Sequence, residues 1–158
     1  EIRLSLVGSE MCIRDSIVED NQLRVQRMQA WAPDVHFVWA RSAGVALGIL
    51  ERDRGQVYHA ILLDHDLDTS VVVDSDRSKD GRDVTKAIIQ KISASVPVLV
   101  HSTNKEYGRV MVERLHNAGF YVEHISMNDL TKESLLDFLD YARDSWEHPT
   151  GGIGAGNH

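Results

Sequence analysis

The chain lacks the features that mark several common classes of protein. Its single cysteine among 158 residues excludes an intramolecular disulfide and a multi-cysteine zinc site. No uninterrupted apolar run approaches the ~20 residues that a membrane-spanning helix requires. A basic excess is also missing, because 17 Lys+Arg face 24 Asp+Glu and give a formal net charge of −7. That charge argues against a protein that coats duplex nucleic acid, since phosphate binding needs clustered Lys and Arg.

Common nucleotide-binding and nucleophile motifs are missing as well. The sequence contains neither a GxxxxGK[ST] loop nor a GxGxxG fingerprint. It has no Gly-x-Ser-x-Gly elbow of the kind that presents a nucleophilic serine. We therefore expect a soluble, cytoplasmic domain with no membrane partner. An acidic domain of this kind is still compatible with one small phosphorylated ligand held at a single site.

The two ends of the chain differ from its middle. Residues 1–16 include MCIRDS, which resembles translated adaptor sequence, so we interpret this segment as a non-native leader. The alternative is a genuine strand, because Ile2, Leu4 and Leu6 alternate with polar residues. Residues 147–158 are rich in glycine and are predicted to be a flexible tail. The predicted domain therefore spans residues 17–146.

Strand-like and helix-like segments alternate through the middle of the chain. Segments rich in β-branched and aromatic residues predict strands at 35–40, 57–63, 96–100 and 120–125, after a first strand that ends at 17–18. Apolar residues at three- and four-residue spacing predict the helices between them, as at Val84, Ile88 and Ile92. This order indicates a single three-layer α/β/α domain with a five-stranded, mostly parallel sheet.

Acidic and histidine side chains follow the predicted strands at the points where those strands end. Glu19 and Asp20 follow the first strand, and Asp64, His65 and Asp66 follow the third. In an open α/β sheet, ligands bind outside the carboxyl ends of the strands. Carboxylates gathered there suit a hard cation such as Mg²⁺, which also binds phosphate oxygens. We therefore predict a Mg²⁺ site, or a Mn²⁺ site, formed by Glu19, Asp20, Asp64 and Asp66.

Each of these groups also has a plainer interpretation. The segment Glu19–Asn21 can cap the following helix, and this role is compatible with metal binding. The acids after the third strand can form a solvated turn. His65 and His101 can ligate a transition metal, act as acid and base, or serve as hydrogen-bonded structural residues. The other histidines, such as His124, are interpreted as surface or packing residues.

A polar segment also follows the fourth predicted strand. It runs from His101 through Ser102 and Asn104 to the start of a helix. Lys105 and Arg109 lie early in that helix, where cations can complement a phosphate held near the helix N-terminus. Two solvated charges are the alternative for this pair.

These residues together resemble the receiver domain of two-component response regulators, which implies the flavodoxin-like topology. Glu19 and Asp20 match the acidic pair of that family, and Asp64 matches its phospho-accepting aspartate. The chain departs from the family after its fifth strand, where a receiver normally carries a Lys and this sequence has residues 124–128, His-Ile-Ser-Met-Asn. Lys132 comes too late in the sequence to take that position.

A narrower branch resembles the sequence more closely. Residues 63–67 (LDHDL) and residues 101–104 (HSTN) are similar to the two motifs of the predicted cyclic-phosphate-processing receiver domains. The resemblance implies a pocket flanked by these two motifs. We expect Asp64, His65 and His101 to carry out the chemistry there, with the two histidines as general base and acid. Ser102, Asn104, Lys105 and Arg109 are the expected substrate-binding residues. The resemblance also implies a cyclic nucleotide, or RNA that ends in a cyclic phosphate, as the ligand. Here Lys105, Glu106 and Tyr107 replace a Pro-containing step, and the loop at 68–80 is longer.

The leading hypothesis is metal-assisted hydrolysis of a cyclic phosphate. Three other functions are compatible with the same sequence. The domain can capture a cyclic nucleotide without hydrolysing it, or accept a phosphoryl group on Asp64 as a signalling receiver. It can also be a receiver-fold scaffold that forms a homodimer.

Overall fold

The predicted strands assemble into one parallel sheet with helices on both faces. The computed structural model of the chain describes residues 14–19, 21–53, 58–64 and 81–147. Within these ranges the elements are, in order, β1 (Arg14–Val18), α1 (Gln22–Trp31), β2 (Phe37–Ala40), α2 (Ala43–Arg52), β3 (Tyr58–Leu63), α3 (Gly81–Lys91), β4 (Val98–Val100), α4 (Lys105–Asn117), β5 (Val122–His124) and α5 (Lys132–Glu147). The strand order is β2-β1-β3-β4-β5, and every neighbouring pair is parallel. The predicted three-layer α/β/α fold is confirmed.

The two faces of the sheet bury separate apolar clusters, because successive side chains of a strand point to opposite faces. On one face, Val18, Leu63 and Val100 pack with residues of α2, α3 and α4. On the other face, Ile17, Leu62 and Leu99 pack with residues of α1 and α5. The central strands β1, β3 and β4 are therefore buried on both sides. No helix within the described ranges has the length and apolar character needed to cross a membrane.

Several element boundaries follow from single residues. Helix α1 ends at Trp31, directly before the capping residue Ala32 and the predicted stop at Pro33. Strand β4 begins at Val98, two residues later than predicted, because Pro97 has no N–H to donate to a strand ladder. After α4, Gly119 has φ of +96°, the left-handed conformation expected where this helix stops.

The first strand begins at Arg14, within the segment interpreted as a leader. Its residues pair with both β2 and β3, so residues 14–16 belong to an interior strand of the sheet. The non-native origin of residues 1–16 stays a prediction. At the other end, α5 reaches Glu147, and the predicted tail beyond it lies outside the described residues.

A buried acid lies in β1, in the half of the strand that precedes the carboxyl edge. Asp15 is 4% exposed, and its Oδ1 atom lies 4.0 Å from Nδ1 of His59. The register between β1 and β3 shifts at this point, since Arg14 pairs with Tyr58 while Asp15 pairs with Ala60. Burial raises the pKa of Asp15 to about 7, although Arg143 favours its charged form. Burial also lowers the pKa of His59 to about 4, so this histidine is neutral near pH 7.

Replacing Asp15 should flatten the pH dependence of stability. The pKa of Asp15 rises from 3.8 to about 7 on folding, so its protonated form favours the folded state. The contribution is present below about pH 4 and is lost as the pH rises through 7. Wild type should therefore lose on the order of 2–3 kcal/mol of unfolding free energy from this group between about pH 5 and 8. Urea unfolding of wild type and Asp15→Asn at both pH values measures the difference.

The comparison between the two proteins removes the contributions of other titrating groups. His59 acts in the opposite sense, because its lowered pKa makes stability fall on acidification below about pH 6.5. An equal pH dependence in both proteins would show that Asp15 is ionised in the folded state throughout this range.

Candidate functional site

Three polar residues extend neighbouring strands at the carboxyl edge of the sheet. Glu19, Asp64 and His101 directly follow β1, β3 and β4. The strand ladder continues into them, because the N–H of Asp64 donates to the carbonyl of Val18 at 3.1 Å, and that of His101 donates to the carbonyl of Leu63 at 2.9 Å. All three are at most 1% exposed. The adjacency of the strands thus brings together residues far apart in sequence, as predicted.

The side chains of these three residues share one face of the sheet. Each follows, by two residues, a member of the cluster under α1 and α5: Ile17, Leu62 or Leu99. The period of two along a strand therefore directs all three toward α1. The alternation that directs apolar side chains to this face continues past the end of each strand, so the polar residue there faces the same side.

A guanidinium from α1 lies beside both carboxylates. Nη1 of Arg24 is 3.6 Å from Oε2 of Glu19 and 3.7 Å from Oδ2 of Asp64. The Arg24 side chain is 28% exposed, whereas the two carboxylates are almost completely buried. Glu19 and Asp64 thus converge on a single cationic atom. Buried carboxylates require such a positive neighbour, because an uncompensated buried charge is costly.

The first turn of α1 fixes the positions of Glu19 and Arg24. Asn21 caps this helix, and its Oδ1 accepts a hydrogen bond from the backbone N–H of Arg24 at 3.2 Å. The backbone N–H of Asn21 donates to Oε2 of Glu19 at 3.0 Å. From β2, Nε1 of Trp39 donates to the carbonyl oxygen of Glu19 at 2.6 Å. The capping role considered for Glu19–Asn21 therefore belongs to Asn21 and coexists with a role for Glu19.

His101 lies against the other oxygen of Glu19. Its Nδ1 is 3.4 Å from Oε1 of Glu19, and the imidazole is fully buried. Burial lowers the pKa of His101 to about 3, and the nearby charge of Arg24 acts in the same direction. The ring is therefore neutral near pH 7, so accepting a proton there is unfavourable. Nδ1 makes no hydrogen bond to the described residues at this distance, so the ring adjoins Glu19 by contact alone.

Ser102 and Asn104 organise the connection between β4 and α4. Oγ of Ser102 accepts a hydrogen bond from the backbone N–H of Asn104 at 3.0 Å, and Oδ1 of Asn104 accepts one from that of Tyr107 at 3.1 Å. Asn104 is thus the N-cap of α4. Both side chains use acceptor atoms in these bonds, which leaves the Ser102 hydroxyl proton and the Asn104 amide protons to donate to a phosphate oxygen.

Lys105 and Arg109 line a separate open pocket of about 740 Å³. His124 and Ser126 form its other wall, and the acids Glu106 and Asp129 also contribute to the lining. The His124 ring lies so close to α4 that a Cβ atom on Gly108 would be 2.8 Å from it, so the ring would have to shift if residue 108 carried a side chain. The pocket shares no lining residue with the group formed by Glu19, Asp64 and His101.

Three predicted site residues, Asp20, His65 and Asp66, lie outside the described residues. Within the described ranges, no three His, Cys, Asp or Glu side chains form a group that could hold a metal ion. Two of the predicted metal ligands, Glu19 and Asp64, both lie beside the guanidinium of Arg24. Mg²⁺ commonly takes only one or two carboxylates and completes its shell with water and phosphate oxygens. The described residues thus fit a divalent cation.

The sequence did not single out Arg24, which lies in the first turn of α1. The available signal was its place in the helix that follows the first strand end. The direction of its side chain depends on how α1 packs on the sheet. His124 was interpreted as a surface or packing residue, and it is exposed at the end of β5 with its ring against Gly108 of α4.

The chain matches one protein family by sequence. A profile described as "Cyclic-phosphate processing Receiver domain" matches residues 17–117. This match runs from the last two residues of β1 through α4, and it includes both motif segments that follow β3 and β4. No curated protein matches the chain by sequence.

Solved structures of receiver domains resemble the fold. One is the N-terminal domain of a response regulator/sensory box/GGDEF protein from Carboxydothermus hydrogenoformans, with a TM-score of 0.62 and 18% identity over 87% of this chain and 98% of that one. Another is the receiver domain of sensor histidine kinase PA1611 from Pseudomonas aeruginosa PAO1, solved with magnesium in its active site cleft. It has a TM-score of 0.60 and 21% identity over 82% of this chain and 95% of that one. At these identities, the likeness establishes the fold alone.

If His101 orients Glu19, their contributions to stability should be coupled. His101→Leu removes the imidazole next to a buried carboxylate and should lower the free energy of unfolding by about 1–3 kcal/mol. In a Glu19→Gln protein, His101→Leu should lower the free energy of unfolding by a smaller amount. The difference between the two losses is the coupling energy, which we expect to be on the order of 1 kcal/mol. Urea unfolding of wild type, both single variants and the double variant measures this coupling. Additive losses would indicate that the imidazole contributes only by packing.

Proposed function

Because this chain belongs to the cyclic-phosphate processing receiver domain family, we propose that it hydrolyses a cyclic phosphate of a nucleotide or an RNA end with the help of a divalent cation. The observation that carries the proposal is the convergence of Glu19 and Asp64 on one cationic atom at the carboxyl edge of the sheet. A phosphate ester needs positive charge beside its oxygens as the bond to phosphorus breaks. Paired carboxylates supply that charge indirectly, by holding a cation.

Glu19 and Asp64 are the described residues that would hold the cation, and Asp20 and Asp66 stay predicted ligands. Mg²⁺ is the expected ion and Mn²⁺ is the alternative, in line with the oxygen donors of the site. When bound, such an ion polarises a phosphoryl oxygen and lowers the pKa of a nearby water. Two solved structures with a similar fold contain such ions. The receiver domain of PA1611 has a magnesium ion in its active site cleft, and the response regulator Rcp1 was solved in a Mn²⁺-bound form.

The proposed reaction opens the phosphate ring. Water adds to phosphorus as its proton is removed, one ring P–O bond breaks, and the leaving oxygen gains a proton, which yields a phosphomonoester. His101 is fully buried against Oε1 of Glu19, so we assign it the positioning of that carboxylate. Proton transfer is assigned to His65, which the sequence places directly after Asp64.

The polar segment after β4 offers the groups that would hold the phosphate. The hydroxyl of Ser102 and the amide of Asn104 can donate to phosphate oxygens, since their acceptor atoms are used within the loop. Lys105 and Arg109 follow within the same helix N-terminus and can attract a further anionic group of the ligand. His101 and Lys105 are four residues apart, which limits their Cα separation to about 14 Å. We propose that one nucleotide-sized ligand spans this distance and contacts both regions.

The absence of the receiver family's Lys from the segment after β5 favours ring opening over phosphoryl signalling. The strand ends at His124, and Ile125 and Ser126 follow it, so the segment carries no ammonium group where a receiver has its Lys. A phospho-accepting receiver and a module that only binds cyclic nucleotide are alternatives that the first experiment below separates from hydrolysis.

Replacing Asp64 should abolish turnover. The purified protein is incubated with cyclic mononucleotides, cyclic oligonucleotides and RNA ending in a 2′,3′-cyclic phosphate, with Mg²⁺ or Mn²⁺, and the products are separated by chromatography. Asp64→Asn should lower kcat/KM on the order of 100-fold or more, because one of the cation-holding carboxylates is lost. As a control, Asp140→Asn removes the same charge from an exposed position on α5. Its kcat/KM should stay within about twofold of the wild-type value.

The other outcomes identify the alternatives. A folded protein that binds a cyclic nucleotide and releases it unchanged is a binding module. One that turns over none of these compounds, but forms an Asp64-dependent adduct with beryllofluoride, is a signalling receiver.

Replacing Arg109 should weaken substrate binding with little change in the chemical step. If the pocket on α4 holds an anionic part of the ligand away from the reacting phosphate, Arg109→Gln should raise KM about tenfold and leave kcat nearly unchanged. Arg114→Gln, on an exposed position of the same helix, is the matched control. An equal effect of both variants would indicate a general influence of charge, and a fall in kcat alone would place Arg109 at the reacting phosphate.

A further inference from the structure

The side chain that balances the charge of Glu19 and Asp64 lies outside the two motif segments at residues 63–67 and 101–104. Arg24 extends from the first turn of α1, and its Nη1 atom lies within 3.7 Å of one oxygen from Glu19 and one from Asp64. These are the two described carboxylates assigned to the divalent cation. The guanidinium therefore lies next to one oxygen of each carboxylate that is proposed to hold the metal ion.

A metal ion and this guanidinium compete for the same oxygens. Mg²⁺ binds carboxylate oxygens at about 2.0–2.1 Å, which leaves no room for a second cation beside the same atoms without strong repulsion. We propose that Arg24 is a built-in counter-cation that closes the metal site, so that a divalent ion binds only when the guanidinium moves away from Glu19 and Asp64.

The surroundings of Arg24 permit this movement in its side chain alone. Its backbone N–H is held by the cap residue Asn21, so the first turn of α1 stays in place. The side chain is 28% exposed, whereas both carboxylates are buried, so the open path for the guanidinium leads to solvent. The ion pairs at 3.6 and 3.7 Å are longer than the 2.7–2.9 Å typical of a charge-assisted hydrogen bond, which favours release.

The exchange keeps the edge of the sheet electrically compensated in both states. With Arg24 in place, two buried carboxylates have a positive neighbour and the fold is stable without metal. After Arg24 leaves, the metal ion provides that charge. Arg24 thus sets the affinity for metal. The inference rests on the cation required by the proposed function, but it is tested without any cyclic phosphate.

Metal titration of Arg24 variants tests the proposal. Metal-stripped wild type, Arg24→Gln and Arg27→Gln are titrated with Mn²⁺, followed by calorimetry and by the EPR signal of free Mn²⁺. Arg27 is an exposed residue of the same helix, and its replacement changes the net charge equally. We expect Arg24→Gln to bind Mn²⁺ on the order of tenfold more tightly than wild type, and Arg27→Gln to stay within about twofold. In EDTA, Arg24→Gln should also unfold at a lower temperature, and Mn²⁺ should restore it.

Three results would overturn the proposal: equal or weaker Mn²⁺ binding by Arg24→Gln, an equal gain in Arg27→Gln, or no binding of Mn²⁺ by any of the proteins. If Arg24→Gln does not fold, NMR of the Arg24 side-chain Nε–H in wild type replaces it. That signal should change on saturation with Mg²⁺, and an unchanged signal at saturation contradicts the movement. Hydrolysis of cyclic phosphates is measured separately, so either idea can fail while the other holds.

Discussion

Two buried carboxylates that share a guanidinium neighbour are the constraint on which this site depends. Glu19 and Asp64 extend adjacent strands and are almost fully buried, so their negative charges cannot be stabilised by bulk water. Arg24 lies beside both of them and reaches them from the capped start of α1. His101 adjoins the remaining oxygen of Glu19 as a neutral ring. The carboxyl edge of the sheet is thus arranged around the need to compensate charge in a dry environment.

The fold supplies that arrangement through its two-residue periodicity. Ile17, Leu62 and Leu99 pack under α1 and α5, and the polar residues two positions further on continue toward the same side of the sheet. Parallel pairing of β1, β3 and β4 then brings them together, since parallel strands all end at one edge. Apolar packing and the chemistry of the site therefore share one geometric origin.

The site extends in a second direction, toward α4. Ser102 and Asn104 form the turn that caps this helix, while Lys105 and Arg109 line an open pocket whose other wall is formed by His124 and Ser126. The helix carries glycine at position 108, where its lack of a side chain admits the His124 ring. One short polar connection thus joins the carboxylates at the sheet edge to a pocket lined by both cations and acids.

The fold, and the residues that directly follow its strands, could be predicted from the sequence alone. Alternating apolar segments located all five strands, and the residues directly after them included Glu19, Asp64 and His101. These features are local, because strand periodicity and chain order are sufficient to place a residue at a sheet edge. Only the tertiary structure decided that Arg24 lies beside both carboxylates, that His101 is buried and neutral, and that His124 forms a wall of the pocket. Each of these depends on contacts between elements distant in sequence, and burial changes the charge state of a side chain in a way that its neighbours along the chain do not reveal.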